Sequence, residues 1–149
     1  MKVIIDSTVK GSYILLVELS RIYLIRTGAL GLVEFPQGFY AYVGSALGGV
    51  QARLNHHLRR MKKVRWHIDY LLREGEIKEM IYCVKREKLE CHLAHRLEET
   101  FRSFPAFGSS DCRCTSHLFF SSNFKVLRKG VIEAFRDVLR GEEPLAVNI

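Results

Sequence analysis

The sequence predicts an α/β fold of the α+β type, in which a small, mainly antiparallel sheet is flanked by helices. Four short stretches rich in branched and aromatic residues lie within the first 43 residues, with turn residues between them. Later stretches carry apolar residues every three or four positions, which is typical of helices. With 149 residues, 48% of them hydrophobic, the chain suits one domain spanning 1–149.

The N-terminal part is predicted to be an antiparallel meander of three or four strands. Residues 13–19 are apolar on both faces and are expected to lie centrally in the sheet. Residues 20–38 are predicted to form a hairpin, which the turn-rich segment 27–31 interrupts. Residues 39–43 are aromatic and form the next strand.

The remaining elements follow from apolar spacing and turn residues. A helix is predicted over 50–61, a short helical or irregular segment over 66–72, a strand over 77–84 and a helix over 87–101. A loop over 104–116, a strand over 117–120 and a last helix over 122–139 complete the domain, and residues 141–149 are expected to be a loose tail. The apolar stripe of the first helix is Val50, Leu54, Leu58 and Met61.

Composition narrows the class of protein. No stretch approaches the roughly 20 apolar residues of a membrane-spanning helix. The apolar stretch at the N-terminus is short and is followed too early by an acidic residue to be a secretion signal. Four cysteines, two of them one residue apart, do not resemble a secreted disulfide framework. We therefore expect a cytoplasmic protein with no membrane partner.

The net charge of +7 favours a polyanionic partner, and the basic residues are clustered. Six arginines and lysines and no acid lie between residues 53 and 65. Such a cluster attracts a nucleic-acid backbone, although a solvated helix end is the simpler alternative. The residues expected to contact the substrate are Arg59, Arg60, Lys62, Lys63 and Arg65. His67 is either a further phosphate contact or a structural hydrogen-bond partner.

Arg53 and His57 form the first candidate site. They are four residues apart on a predicted helix and therefore share one face of it. The helix follows a turn of small residues, YVGSA at 42–46, whose Gly44 and Ser45 are expected to contact the substrate. Arginine offers a planar fork for phosphate, and histidine donates or accepts a proton. The pair indicates chemistry on a phosphodiester.

The cysteine-rich loop is a second candidate site. Cys112, Cys114 and His117 lie close in sequence, and together with Cys91 they offer four ligands for a tetrahedral, structural Zn²⁺. The alternative is that the cysteines are buried packing residues. Ser110 and Asp111 are expected either to cap this loop or to reach a metal.

Several of these motifs together resemble the GIY-YIG nucleases. The resemblance rests on Gly11-Ser12-Tyr13 at the start of a strand, on Tyr42-Val43-Gly44, on Arg53 with His57, and on a helical Glu90. The whole chain more closely resembles an archaeal subfamily of unknown function with that fold, sometimes fused to a base-excision-repair endonuclease. Its motifs are at 42–46, 66–71, 90–91 and 110–119. The hairpin 20–38 is longer than in a typical nuclease, and Asn123 is the candidate for the family's late asparagine.

The resemblance implies a small mixed sheet between helices and a single catalytic Mg²⁺ or Mn²⁺ held by Glu90. Arg53 is then expected to stabilise the negative charge of the scissile phosphate. Tyr13, Tyr42 and His57 complete the catalytic set, and which of the three is the general base stays open. The expected activity is endonucleolytic cleavage of DNA, in repair, alone or with a base-excision-repair partner.

Two other functions are compatible with the sequence. The chain could be a non-catalytic nucleic-acid-binding or repair-accessory module that keeps the basic face of the fold. It could also be a metal-binding interaction module built on the cysteine loop. RNA is an alternative partner to DNA, because a basic groove recognises phosphates in both.

Overall fold

The computed structural model describes residues 5–109 and 112–149. Its elements in chain order are β1 (Gly11–Leu19), β2 (Tyr23–Arg26), β3 (Leu32–Phe35), β4 (Gly38–Ala46), α1 (Val50–Leu58), α2 (His67–Leu72), β5 (Glu76–Tyr82), α3 (Glu90–Glu98), β6 (Arg102–Ser103), β7 (Leu118–Ser121), α4 (Phe124–Val138) and β8 (Leu145–Asn148). A short 3-10 turn, Gly28–Leu30, lies between β2 and β3. Ser110 and Asp111, for which a capping or metal-binding role was predicted, lie outside the described residues.

Six strands form one sheet in the order β6-β7-β4-β1-β5-β8, and adjacent strands pair antiparallel. β1 is central, as its apolar composition predicted. It pairs with β4 along its whole length, and this register places Tyr13 opposite Gly44. The predicted α+β fold, with a mainly antiparallel sheet, flanking helices, an N-terminal hairpin and a C-terminal helix, is confirmed.

Each face of the sheet packs against a different pair of helices. Alternate residues of β1 point to opposite faces, so that Leu15 and Val17 join one cluster of buried side chains and Ile14 and Leu16 join the other. The first cluster includes residues of α1, α2 and the β2–β3 hairpin. The second includes residues of α3 and α4. This two-sided burial is why β1 has no polar face.

Two predictions about strand pairing were wrong. The N-terminal strands do not form a continuous meander, because β1 pairs with β4 while β2 and β3 pair only with each other in a separate sheet. The tail is not loose: β8 pairs with β5 over residues 145–148. The tail thereby satisfies backbone groups along a β5 edge that would otherwise be unpaired.

Two helices are shorter than the sequence predicted. α1 ends at Leu58, and Met61 is 94% exposed instead of completing an apolar stripe. Lys62 caps this end, since its Nζ donates to the carbonyls of His56 and His57 at 3.0 and 2.9 Å. α3 begins only at Glu90.

None of the helices within the described residues has the length and apolar composition needed to cross a bilayer.

Candidate active site

A pocket of about 210 Å³ lies where β1, β4, α1 and α3 meet. Four of the five residues predicted to be catalytic line it, namely Tyr13, Tyr42, Arg53 and Glu90. Gly44 and Ser45 of the predicted turn line it as well. His57, the fifth predicted residue, is 2% exposed and lies behind Tyr13, whose Oη is 2.7 Å from His57 Nε2. Residues from four separate elements thus converge on one small volume.

Both tyrosine rings pack against glycines. A Cβ atom on Gly44 would lie 2.5 Å from Oη and Cζ of Tyr13. A Cβ atom on Gly108, whose φ of +70° also favours glycine, would lie 3.0 Å from the ring of Tyr42. The position of each ring therefore depends on the absence of a side chain beneath it.

Burial keeps both members of the Tyr13–His57 pair neutral. Burial raises the pKa of the Tyr13 phenol well above its ordinary value, and Tyr42 adds to this, whereas the positive charge of Arg53 acts in the opposite direction. Burial also lowers the pKa of His57 to about 3. At neutral pH the hydrogen bond thus joins a neutral phenol to a neutral imidazole.

Arg53 is held over the ring of Trp66. Its guanidinium carbon lies 4.2 Å from the ring centroid, which is the geometry of a cation–π contact. Arg53 forms no ion pair with the residues of the described ranges. This contact holds the guanidinium over the ring while its charge remains available to an anion in the pocket.

Glu90 is the only carboxylate among the described residues that line the pocket. It is the first residue of α3, and its Oε2 atom is buried with no hydrogen-bond partner within residues 5–109 and 112–149. A buried carboxylate oxygen without a donor is costly unless something else satisfies it. Lys88, two residues earlier, also lines the pocket. Ser45 Oγ is likewise buried without a partner in the described chain.

The basic segment after α1 divides into structural and exposed residues. Lys62 caps α1, and its Nζ lies 3.7 Å from Oδ1 of the fully buried Asp69. Asp69 also accepts hydrogen bonds from the backbone of Arg65 and Trp66 and bonds to His56. The other arginines and lysines of this segment that were predicted to contact the substrate are exposed, namely Arg59, Arg60, Lys63 and Arg65.

Two further predicted residues make structural hydrogen bonds instead of lining the pocket. His67 Nδ1 accepts a hydrogen bond from the backbone N–H of Gly108 at 2.9 Å, which is the structural alternative that the sequence left open. Asn123 caps α4, where its side chain accepts from the N–H of Val126 at 3.1 Å. Neither residue is among the described residues that line the pocket.

Cys91, Cys112, Cys114 and His117 form a compact cluster, hereafter the thiol cluster, with all four ligand atoms within 4.8 Å of one another. Cys112 Sγ lies 3.5 Å from His117 Nε2. Burial raises the pKa of the thiols of Cys91 and Cys114. The cluster adjoins the pocket, because Cys91 directly follows the pocket residue Glu90 in the chain, and because His117 belongs to the cluster and also lines the pocket.

Sequence reasoning missed Trp66, Lys88 and Gly108 as pocket residues. Lys88 is close to Glu90 in sequence, which is a usable signal. Trp66 and Gly108 carry no local signal, because only the tertiary fold brings them to Arg53 and Tyr42. A larger groove of about 710 Å³ lies along α3 and α4 and is lined by charges of both signs. We place the site in the smaller pocket, because the tyrosines, the arginine and the buried carboxylate converge there.

Comparisons with known proteins give a family but no activity. No curated protein and no solved structure matches the chain significantly. A family model described as a domain of unknown function, DUF123, matches residues 12–140, which is most of the chain. The chain therefore belongs to the DUF123 family.

Proposed function

We propose that the protein is a divalent-metal-dependent endonuclease that hydrolyses phosphodiester bonds in DNA, with a GIY-YIG-type site. One observation carries the proposal: the half-buried Glu90, whose Oε2 atom is buried without a hydrogen-bond partner in the described chain, shares a pocket with Arg53 and Lys88. A site that only bound phosphate would be weakened by Glu90, since like charges repel. A carboxylate beside a phosphate becomes favourable when a cation lies between them.

Glu90 fits the requirements of such a cation. Mg²⁺ is usually held by one or two carboxylates and keeps several of its waters, so a single glutamate in an open pocket suffices. The orphaned Oε2 atom supplies an oxygen ligand whose burial is otherwise unexplained. A divalent ion bound there supplies charge neutralisation on the phosphoryl group and stabilises the leaving oxygen.

The other pocket residues then have complementary tasks. Arg53, oriented by Trp66, donates to the non-bridging oxygens of the scissile phosphate, where negative charge develops. Ser45 Oγ offers a further donor to the same group. Tyr13 would take a proton from the attacking water as the phenolate, after its own proton has been relayed away through the hydrogen bond to His57; nearby positive charge favours this phenolate against the effect of burial.

The exposed basic side chains after α1 would bind the flanking DNA backbone. Arg59, Arg60, Lys63 and Arg65 are exposed, and each phosphate that they neutralise makes binding more salt-dependent. Such contacts carry no sequence information, which suits an enzyme that recognises a DNA structure in repair, alone or beside a base-excision-repair endonuclease.

We also propose that the thiol cluster holds a structural Zn²⁺. In a tetrahedral zinc site with bonds of about 2.3 Å to sulfur, ligand atoms lie about 3.7 Å apart. The four ligand atoms of the cluster all lie within 4.8 Å of one another, and Cys112 Sγ and His117 Nε2 are 3.5 Å apart. Small movements of these side chains would therefore suffice to bind the ion. Four protein ligands leave no open position, which is the pattern of structural rather than catalytic zinc.

The decisive experiment is a cleavage assay on labelled single-stranded, duplex, flapped and branched DNA with Mg²⁺ or Mn²⁺. Wild type is compared with Glu90→Gln, Arg53→Ala and the control Glu87→Gln. Glu87 is exposed, lies three residues from Glu90 and does not line the pocket as described. We expect metal-dependent cutting by wild type and Glu87→Gln, and a loss of at least about 10²-fold in the other two variants.

Two results would change the assignment. Cutting that survives EDTA or Glu90→Gln would contradict the metal role of Glu90. Binding without cutting on every DNA tested would favour the non-catalytic binding module, and the same panel made of RNA would then test the alternative nucleic acid.

A further inference from the structure

We propose that zinc in the thiol cluster fixes the position of Glu90, and that zinc loading thereby sets the affinity of the pocket for its divalent cation. This inference rests on the proposed function, because it concerns the carboxylate of that site. It assigns to Cys91, Cys112, Cys114 and His117 a positioning role that is distinct from general stabilisation of the fold.

Glu90 has few restraints of its own. Leu89, the residue before α3, provides no side-chain cap, and Glu90 Oε2 has no hydrogen-bond partner among the described residues. One side-chain hydrogen bond ties this end of the helix to the sheet: the N–H of Leu89 donates to Ser12 Oγ at 3.1 Å. Helix ends without caps fray. The first turn of α3 therefore needs a second attachment to hold a carboxylate in place.

Cys91 is suited to be that attachment. It is the second residue of α3, directly after Glu90, and its Sγ atom is part of the thiol cluster. A metal bond to Cys91 would fix the backbone at the residue next to the carboxylate. The other three ligands lie far along the chain, in the loop that leads into β7.

The opposite side of the cluster is anchored to the strand that carries Tyr42. The carbonyl of His117 accepts a hydrogen bond from the N–H of Val43, in β4, at 2.9 Å. The backbone N–H of His117 donates to the carbonyl of Phe107 at 2.8 Å. His117 also lines the pocket. A zinc ion would consequently cross-link the start of α3, which bears Glu90, to the β4 wall of the same pocket.

This arrangement has a measurable consequence. Groups that orient a metal ligand from outside typically change metal affinity by 10- to 100-fold when they are removed. We therefore expect zinc-free protein to bind Mn²⁺ at the pocket about 10-fold or more weakly while remaining folded. A zinc ion that only stabilised the fold would leave this affinity unchanged in the folded state.

The chain offers a matched control for the cysteine variants. Cys83 is a buried free thiol outside the cluster, with its Sγ 3.7 Å from the carbonyl of Ser12. Cys112→Ser and Cys114→Ser are compared with Cys83→Ser and with Glu90→Gln. Zinc content is measured by elemental analysis, Mn²⁺ binding by electron paramagnetic resonance, amide exchange at residues 89–93 by mass spectrometry, and folding by circular dichroism.

We expect one zinc per chain in wild type, Cys83→Ser and Glu90→Gln, and none in the two cluster variants. The cluster variants should show weaker Mn²⁺ binding and faster amide exchange at residues 89–93. Glu90→Gln should keep zinc and lose Mn²⁺. If the cluster variants do not fold, wild type stripped of zinc by a chelator gives the same two measurements.

The inference is overturned if wild type holds no zinc, or if zinc-free, folded protein keeps both the Mn²⁺ affinity and the slow exchange of the loaded protein. A disulfide between cluster cysteines in place of zinc overturns it equally. Failure of the proposed function gives a different pattern: the zinc-dependent changes appear, but loaded wild type with Mn²⁺ bound at Glu90 cuts no DNA.

Discussion

Gly44→Ala should disable the site without adding any polar or charged group. The new Cβ would lie 2.5 Å from Oη and Cζ of Tyr13, whereas carbon atoms in contact settle about 3.5–4.0 Å apart. The Tyr13 ring, which is 1% exposed and enclosed by the core, must therefore shift by about 1 Å. A shift of that size can lengthen the 2.7 Å Tyr13–His57 hydrogen bond beyond bonding distance.

The magnitude follows from the cost of overpacking. Inserting a methyl group into a well-packed core costs about 1–3 kcal/mol. For a domain of this length, about 2 kcal/mol corresponds to a fall in Tm of about 4–8 °C. Displacing a catalytic group by about 1 Å can cost about 10²-fold in rate, so cleavage should fall further than stability alone explains.

Gly48→Ala is the matched control for this substitution. Gly48 also lines the pocket, but a Cβ atom there meets no atom within 4 Å. The Tm of the Gly48→Ala variant, measured by calorimetry, should stay within about 2 °C of the wild-type value, because surface substitutions usually change stability by less than about 0.5 kcal/mol. Equal Tm and equal cleavage rates for the two variants would refute the argument that Tyr13 depends on Gly44.

Three further predictions concern the capping lysine, the buried histidine and the pocket carboxylate. Lys62→Ala should lower the urea midpoint, because it removes the cap of α1, whereas Lys63→Ala should leave stability unchanged and reduce the salt dependence of DNA binding. The pKa of His57 is about 3 in the folded protein, against 6.5 for the free side chain. Between pH 3 and pH 6.5 the unfolded chain therefore binds a proton at this residue that the folded chain does not bind. Stability should thus fall as the pH is lowered from about 6.5 towards 3, and less steeply in His57→Gln, as urea midpoints across that range will show. Glu90→Gln should bind DNA more tightly than wild type in EDTA, by fluorescence anisotropy, and by more than Glu87→Gln does.

The fold was predictable where apolar spacing decides the structure. The two-sided burial of β1 follows from its continuous apolar run, and helix α4 follows from apolar residues at helical spacing. Pairing between distant strands does not follow, because β8 joins β5 through backbone bonds that leave little trace in side-chain pattern. The end of α1 was also missed: Lys62 caps it by reaching back to two carbonyls from beyond the helix, a contact that the apolar spacing does not reveal.

In the candidate site too, the sequence predicted which residues share a helix face but not their tertiary contacts. Arg53 and His57 could be paired from their helical spacing, but the structure gives them different positions: Arg53 lines the pocket over Trp66, whereas His57 lies behind the pocket and bonds to the buried Tyr13. Spacing along a helix fixes which residues share a face and not which neighbours cover them. Lys62 was predicted to contact substrate from its charge alone, and its burial against Asp69 reveals a structural role.

The balance of charge in the pocket supports the proposed cation. Tyr13 and His57 are neutral because burial moves the pKa of each away from the charged form. The charged side chains of the described pocket are then Arg53, Lys88 and Glu90, which leave one net positive charge to match one phosphodiester. In the proposed hydrolysis, the additional negative charge that develops would have no further cation to meet it among the described residues that line the pocket. A divalent ion at Glu90 would supply that charge, and for the same reason an ion-free pocket should hold DNA better once the carboxylate is removed.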